Sequence, residues 1–138
     1  MSEKYKIVPL DEPAWQTIGQ GINHFNKSQG GEDNAQSLCF VLQGSDEEVV
    51  GGVIGSTYWG WLHIDLMWIK EDLRGQGYGQ QLLMQSEEEA RQRGAKQVYL
   101  DTFSFQAPEF YKKYGYKVFG ELANFPEGHQ RYFLTKQL

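Results

Sequence analysis

The chain has 138 residues, and thirteen Lys and Arg against eighteen Asp and Glu give a net charge of −5; a protein built for nucleic acid needs a basic footprint, so that partner is not expected. Hydrophobic content of 40% with 14% aromatics excludes a disordered chain, and the length supplies the core of one compact domain over residues 1–138. A single Cys39 excludes an internal disulfide framework and a cysteine zinc site, and no metal is expected. The start lacks the apolar stretch of a signal peptide, and no run approaches the roughly 18 apolar residues of a membrane span, so the expectation is a cytoplasmic protein with no membrane partner.

In chain order, "YKIVPL" reads as an opening strand closed by Pro9. Asp11 is placed to cap a helix through Ala14, Trp15, Ile18 and Phe25, loosened by Gly19 and Gly21, with His24 near its end. "NKSQGGEDNAQS" reads as a polar loop, whose Glu32 and Asp33 are suited to attract a cation. "LCFVLQ" and "EVVGGVIGSTYW" form a hairpin around "GSDEE", with Cys39 as buried core, and Gly60 turns the chain into "WLHIDLMWIK". Strict alternation there puts Leu62, Ile64, Leu66 and Trp68 on one face and His63, Asp65, Met67 and Ile69 on the other.

Next comes "EDLRGQGYGQQLL", a glycine-rich turn into a helix whose inner face is Tyr78, Leu82, Leu83, Ser86 and Ala90. The outer face carries Glu87–Arg91 and Glu89–Arg93 pairs at i,i+4, and Gly94 stops the helix. "KQVYLDTF" is a strand, and Ala107, Phe110, Tyr111 and Tyr114 mark a short helix ended by Gly115. "YKVFGEL", the turn "ANFPEGH" and "QRYFLTKQL" close the chain as a hairpin. The order β-α-β-β-β-α-β-α-β-β predicts an α/β protein with a mixed sheet and helices against it.

The glycine turn is the first candidate site. Free N–H groups at a helix start and the positive end of the helix favour an anion, and Arg74 adds a charge shaped for phosphate oxygens. The alternative is a tight strand-to-helix turn with a surface arginine. Dinucleotide and methyl-donor folds open with their glycine loop after the first strand, whereas here several strands precede it; a Walker loop would need Lys-Ser or Lys-Thr after the glycines.

Arg74, Gly77 and Gly79 spell R-x-x-G-x-G, and "APEFYKKYGY" supplies an Ala, an aromatic-Tyr pair and a Gly-aromatic step at residues 107–116. In that order, with a helix and a strand between, these two segments resemble the signatures of the GNAT superfamily of N-acetyltransferases. The resemblance implies a mixed, mostly antiparallel sheet flanked by helices, with acetyl-CoA as co-substrate. It implies that backbone amides of Gly75, Gln76, Gly77, Tyr78 and Gly79 hold the pyrophosphate beside Arg74. Pantetheine would follow Met67, Trp68 and Ile69, and a bulge in strand 61–70 would polarise the thioester carbonyl. Ser104 stands where relatives often carry a cofactor-binding Asn, and homodimers are common in the superfamily.

Acetylating an amine raises two proton problems. An amine of pKa about 10.4 lies about 3.4 units above neutrality, so presenting it uncharged costs roughly 4.6 kcal/mol; the departing thiolate, near pKa 8.5, gains from a donor. By resemblance Tyr111 is the acid, although it also fits an apolar helix face as plain core. For the base, His63 beside Asp65 breaks a strand that should be apolar if covered on both sides, and a histidine titrates near neutrality. A His–Asp pair satisfying itself beside a bulge, His129 in a hairpin like that of glyphosate N-acetyltransferase, and water are the alternatives. Lys112 and Lys113 fit either a CoA phosphate or a solvated helix face. The function expected is acetyl transfer to a primary amine of a small molecule or peptide, preferably cationic, by direct attack in a ternary complex. The rival is a non-catalytic acyl-CoA-binding regulatory module.

Overall fold

The computed structural model describes residues 4–138, which form two compact units: one reaches to Asp33 and the other runs from Asn34 to Leu138. The first unit contains α1 (Trp15–Gly30). Ala14 occupies its N-cap without a side-chain bond, so Asp11 does not cap it. The helix also continues through residues expected to be loop, and His24 lies inside it. No breaker interrupts the polar run until Gly31, whose φ of 81° and N–H bond to the Lys27 carbonyl end the helix. No α1 residue is buried, and Trp15, Ile18, Ile22 and Phe25 make an exposed apolar stripe. Two internal glycines each cost about 1 kcal/mol relative to alanine, so a lone helix of this sequence is marginal.

The expected strand "YKIVPL" does not form: residues 4–10 join no ladder, and Ile7 is fully exposed. Extended backbone becomes a strand only when a neighbour takes its N–H and C=O groups.

The second unit is a six-stranded sheet in the order β1-β2-β3-β4-β6-β5. Its strands are β1 (Gln36–Gln43), β2 (Val49–Tyr58), β3 (Trp61–Ile69), β4 (Gln97–Phe103), β5 (Lys117–Ala123) and β6 (Gln130–Gln137). All neighbours are antiparallel except the central β3–β4 pair. Trp59 and Gly60, both at positive φ, make the β2–β3 turn where the sequence placed it.

A single-turn 3₁₀ helix (Glu71–Leu73) leads into α2 (Tyr78–Gln92), and α3 (Pro108–Lys113) follows β4. Leu82, Leu83 and Ala90 from α2 and Tyr111 from α3 share one core with Leu38, Val53, Leu62, Val98, Leu100 and Leu134. This is a mixed, mostly antiparallel sheet with helices against it, as expected. Cys39 departs from expectation: β1 alternates Leu38 into this core and Cys39 outward, where it is exposed. Glu87 also departs, because instead of pairing with Arg91 on the surface it is buried. There it accepts from the Tyr116 hydroxyl at 2.6 Å and from Lys136 Nζ at 3.0 Å through both oxygens. The expected Glu89–Arg93 pair is present at 3.7 Å.

Candidate active site

The two central strands stay together only briefly. β3 and β4 pair from Trp61↔Gln97 to Ile64↔Leu100 and then part, leaving residues 65–69 of β3 without a partner on that side. The β2–β3 register shifts at the same level, from Gly55↔Ile64 to Ile54↔Leu66, so Asp65 is an extra residue in β3. Gly55 permits this, since a Cβ there would collide with the His63 carbonyl oxygen.

The bulge corrects the alternation read from the sequence. Before it, Leu62 and Ile64 enter the core; after it, Met67 and Ile69 pack against the core, while Leu66 and Trp68 are exposed. Trp68 therefore does not share a face with Met67 and Ile69, and it also no longer shares one with Leu62 and Ile64. His63 and Asp65 do not need the account given for a strand covered on both faces.

Tyr111 approaches the parting from the core side. It is 7% exposed, and its hydroxyl lies 4.0 Å from Met67 Sδ. Burial, with a smaller push from the Asp101 carboxylate, raises the phenol to about 12. Tyr111 is thus protonated at neutral pH and lies against Met67 of β3. Phe110 and Tyr116 fix the ring edge-on at 5.2 and 5.7 Å.

His63 approaches from the opposite face. Its ring stacks on Tyr99, 4.4 Å between centroids and 7° between planes. Nδ1 is 4.0 Å from Asp65 Oδ1, an ion-pair distance too long for a hydrogen bond. The Tyr99 hydroxyl meets that of Tyr58, and burial is the first of the causes that raise Tyr99 above the ordinary phenol range. Asp65 is largely exposed and presents a carboxylate to solvent beside the imidazole.

The loop after β3 has the features of an anion cradle. Gly75 and Gly77 adopt φ of 79° and 90°, a region open to glycine, and Gly77 sits at the N-cap of α2. Among the described residues, the N–H groups of residues 75–80 donate to no protein acceptor. Arg74 Nε donates to the Ile69 carbonyl at 2.8 Å, which ties the guanidinium to the end of β3 and leaves its terminal nitrogens outward. Gly79 serves packing: a Cβ there would press on Phe110 at 3.3 Å.

The other candidates are placed elsewhere. Ser104 is used structurally, its Oγ accepting from the Gln130 N–H at 3.1 Å. His129 lies in the β5–β6 turn against Phe105, and Lys112 pairs with Glu109 at 3.2 Å. The sequence reading missed the Asp101–Arg131 pair, which joins β4 to β6 at 2.9 Å with the guanidinium near the rings of Phe103, Phe125 and Phe133. The signal was present: both residues occupy alternate positions in strands and break an aromatic run.

Comparison with known proteins agrees with this geometry. Residues 5–116 match the acetyltransferase (GNAT) family. An acetyltransferase of Agrobacterium fabrum is 34% identical over 127 residues, covering 92% of this chain and 93% of that protein. The blasticidin-S acetyltransferase of Streptomyces morookaense is 36% identical over 96 residues, 69% of this chain and 71% of that one. A crystal structure of an acetyltransferase from Bacillus cereus superposes with a TM-score of 0.89 at 35% identity, covering 96% and 98% of the two chains.

Proposed function

The chain belongs to the acetyltransferase (GNAT) family, and on that premise we propose that it is an acetyl-CoA-dependent N-acetyltransferase acting on a primary amine of a small, cationic molecule or peptide. The observation that carries this reading is the parting of β3 and β4, with the Tyr111 hydroxyl on one side of the sheet and His63 with Asp65 on the other.

The residues suit the co-substrate. Unpaired N–H groups of residues 75–80 and the outward nitrogens of Arg74 offer donors to a pyrophosphate. The free edge of β3 at Met67, Trp68 and Ile69 can take an extended amide-bearing chain as a strand would. Ser104 Oγ accepts from the Gln130 N–H, which leaves its own O–H to donate to a cofactor oxygen. Acetyl-CoA supplies an activated acyl group whose thioester carbonyl is open to an amine.

His63 takes the amine proton on its ring nitrogen, with the Asp65 carboxylate beside it to attract a cationic acceptor. Tyr111 donates a hydrogen bond to the departing sulfur. Full proton loss from a phenol at about 12 to a thiolate near 8.5 is uphill by about 3.5 units, or roughly 4.8 kcal/mol. Its part is therefore that of a donor that keeps its proton. With acetyl-CoA bound along β3, backbone amides at the Asp65 bulge would be the donors that polarise the thioester carbonyl.

The decisive test is thiol release from acetyl-CoA over a panel of polyamines, amino acids, basic peptides and blasticidin S, with the acetylated product identified by mass spectrometry. Release that rises with one amine class supports the reading. Tight CoA binding without turnover on any amine points to a binding module instead.

A further inference from the structure

Next to Tyr111 the core holds a polar group that the proposed chemistry does not use. Glu87 of α2 is 4% exposed, and Tyr116, just after α3, is 2% exposed. The Glu87 carboxylate accepts from the Tyr116 hydroxyl at 2.6 Å and from Lys136 Nζ of β6 at 3.0 Å through both oxygens. The Lys136 ammonium also lies 5.3 Å from the centre of the Tyr116 ring, and a Cβ at Gly115 would touch the lysine stem at 3.6 Å. Three parts of the chain thus meet on one carboxylate.

Stability does not require such a group. Taking a carboxylate and an ammonium out of water is costly, and well-packed apolar residues of the same size serve a core as well or better. What the hydrogen-bonded group adds is direction, because a hydroxyl tied to a carboxylate on α2 cannot slide along an apolar wall.

That direction reaches Tyr111. With six residues, α3 is too short to hold its own line, so its orientation comes from what it packs on. Gly115, at φ of 96°, turns the chain back, and the Tyr116 N–H donates to the Tyr111 carbonyl at 3.1 Å. The two rings meet edge-on at 5.7 Å between centroids. Tyr116 therefore grips Tyr111 through backbone and ring, and is itself pinned by Glu87. The Tyr111 hydroxyl has only the Met67 thioether at 4.0 Å, a contact too weak to aim it.

We propose that Glu87, Tyr116 and Lys136 are positioning residues that aim the Tyr111 hydroxyl at the thioester sulfur. The proposal rests on the reading of Tyr111 as donor to the departing sulfur, and concerns what holds that donor in place.

The triple replacement Glu87→Leu, Tyr116→Phe and Lys136→Met removes the polar atoms and keeps the volume. It should melt at or above the wild-type temperature and bind CoA unchanged. Single-turnover thiol release from acetyl-CoA, with the panel amine that releases most, should fall on the order of 10–10²-fold, while the steady-state KM for that amine stays. Tyr116→Phe alone keeps the ring and loses only the anchored oxygen; it should show the same split, and it serves if the triple does not fold. In a Tyr111→Phe background neither change should slow the reaction more than about twofold, because no hydroxyl is left to aim. Wild-type turnover in the triple or in Tyr116→Phe overturns the proposal, and so does an equal loss with and without the Tyr111 hydroxyl. If no panel amine releases thiol, or if Tyr111→Phe itself loses less than about threefold, the donor reading falls and this role falls with it. If Tyr111→Phe is slow and Tyr116→Phe is not, the positioning role alone is refuted.

Discussion

Replacing Tyr111 by phenylalanine removes one buried oxygen whose hydrogen-bond partner is the Met67 thioether at 4.0 Å. That contact is weak, so its loss should cost under about 1 kcal/mol of stability, and relief of a poorly satisfied hydroxyl offsets part of it. The melting temperature should stay within about 3 °C of wild type. The ring itself remains, wedged by Phe110 and Tyr116, so the core keeps its packing. Catalysis should respond differently: losing a preorganised donor to a developing anion slows the chemical step about 10²–10³-fold. Single-turnover quench with saturating acetyl-CoA and a responsive amine separates this from binding, and CoA affinity by calorimetry should be unchanged. Since the phenol sits at about 12, the surviving activity should keep the wild-type pH profile from about pH 6 to 10. A single-turnover loss below threefold would return Tyr111 to the core. An alkaline limb present in wild type and absent in the variant would show that the phenol ionises in the working range, against its burial.

Arg74→Ala should weaken CoA binding by about 1–3 kcal/mol in calorimetry, and Gly77→Val should do worse, because it forces a β-branched residue into φ of 90° at the head of α2. An imidazole base must be neutral, so turnover should fall as pH drops through the histidine range; His63→Gln should remove that limb, His129→Gln should leave it, and the reverse pattern would move the base to the β5–β6 turn. Stability should fall above about pH 10, where the unfolded chain's phenols ionise while Tyr99, Tyr111 and Tyr116, all raised mainly by burial, keep their protons. Tyr111 alone contributes roughly 2–3 kcal/mol of that loss between about pH 10 and 12, so in denaturant titrations Tyr111→Phe should lose less stability than wild type over that interval; equal losses would contradict the assigned burial.

The sequence exposed whatever depends on neighbours in the chain. The glycine turn, the inner face of α2 at Leu82, Leu83 and Ala90, and the turn at Trp59–Gly60 each follow from residues a few positions apart. Failures fall where distant partners decide. Glu87 reads as a surface residue of α2 until Tyr116 and Lys136, 29 and 49 positions on, enclose it. "YKIVPL" has strand composition, yet no neighbouring strand takes it up. Cys39 looks like core because β1 is apolar on both faces, and only the packing of Leu38 under α2 tells the faces apart. The faces of β3 were misread because the extra residue at Asp65 depends on Gly55, one strand away.

That extra residue makes β3 behave like a message with a frame. Upstream of Asp65 the odd-numbered His63 looks outward; downstream the odd-numbered Met67 and Ile69 look inward. Pairing the strand without the bulge would impose simple alternation on the same residues and carry Met67 away from Tyr111, while driving Leu66 and Trp68 beneath α2. No single side chain would have changed its chemistry, yet the donor would face a different wall. Homologous proteins should therefore tolerate exchange of Leu66 or Trp68 for other residues more readily than a side chain at Gly55, which the bulge needs bare. A glycine opposite the bulge becomes a sharper guide to a shared site than the identities of the residues at 66 and 68.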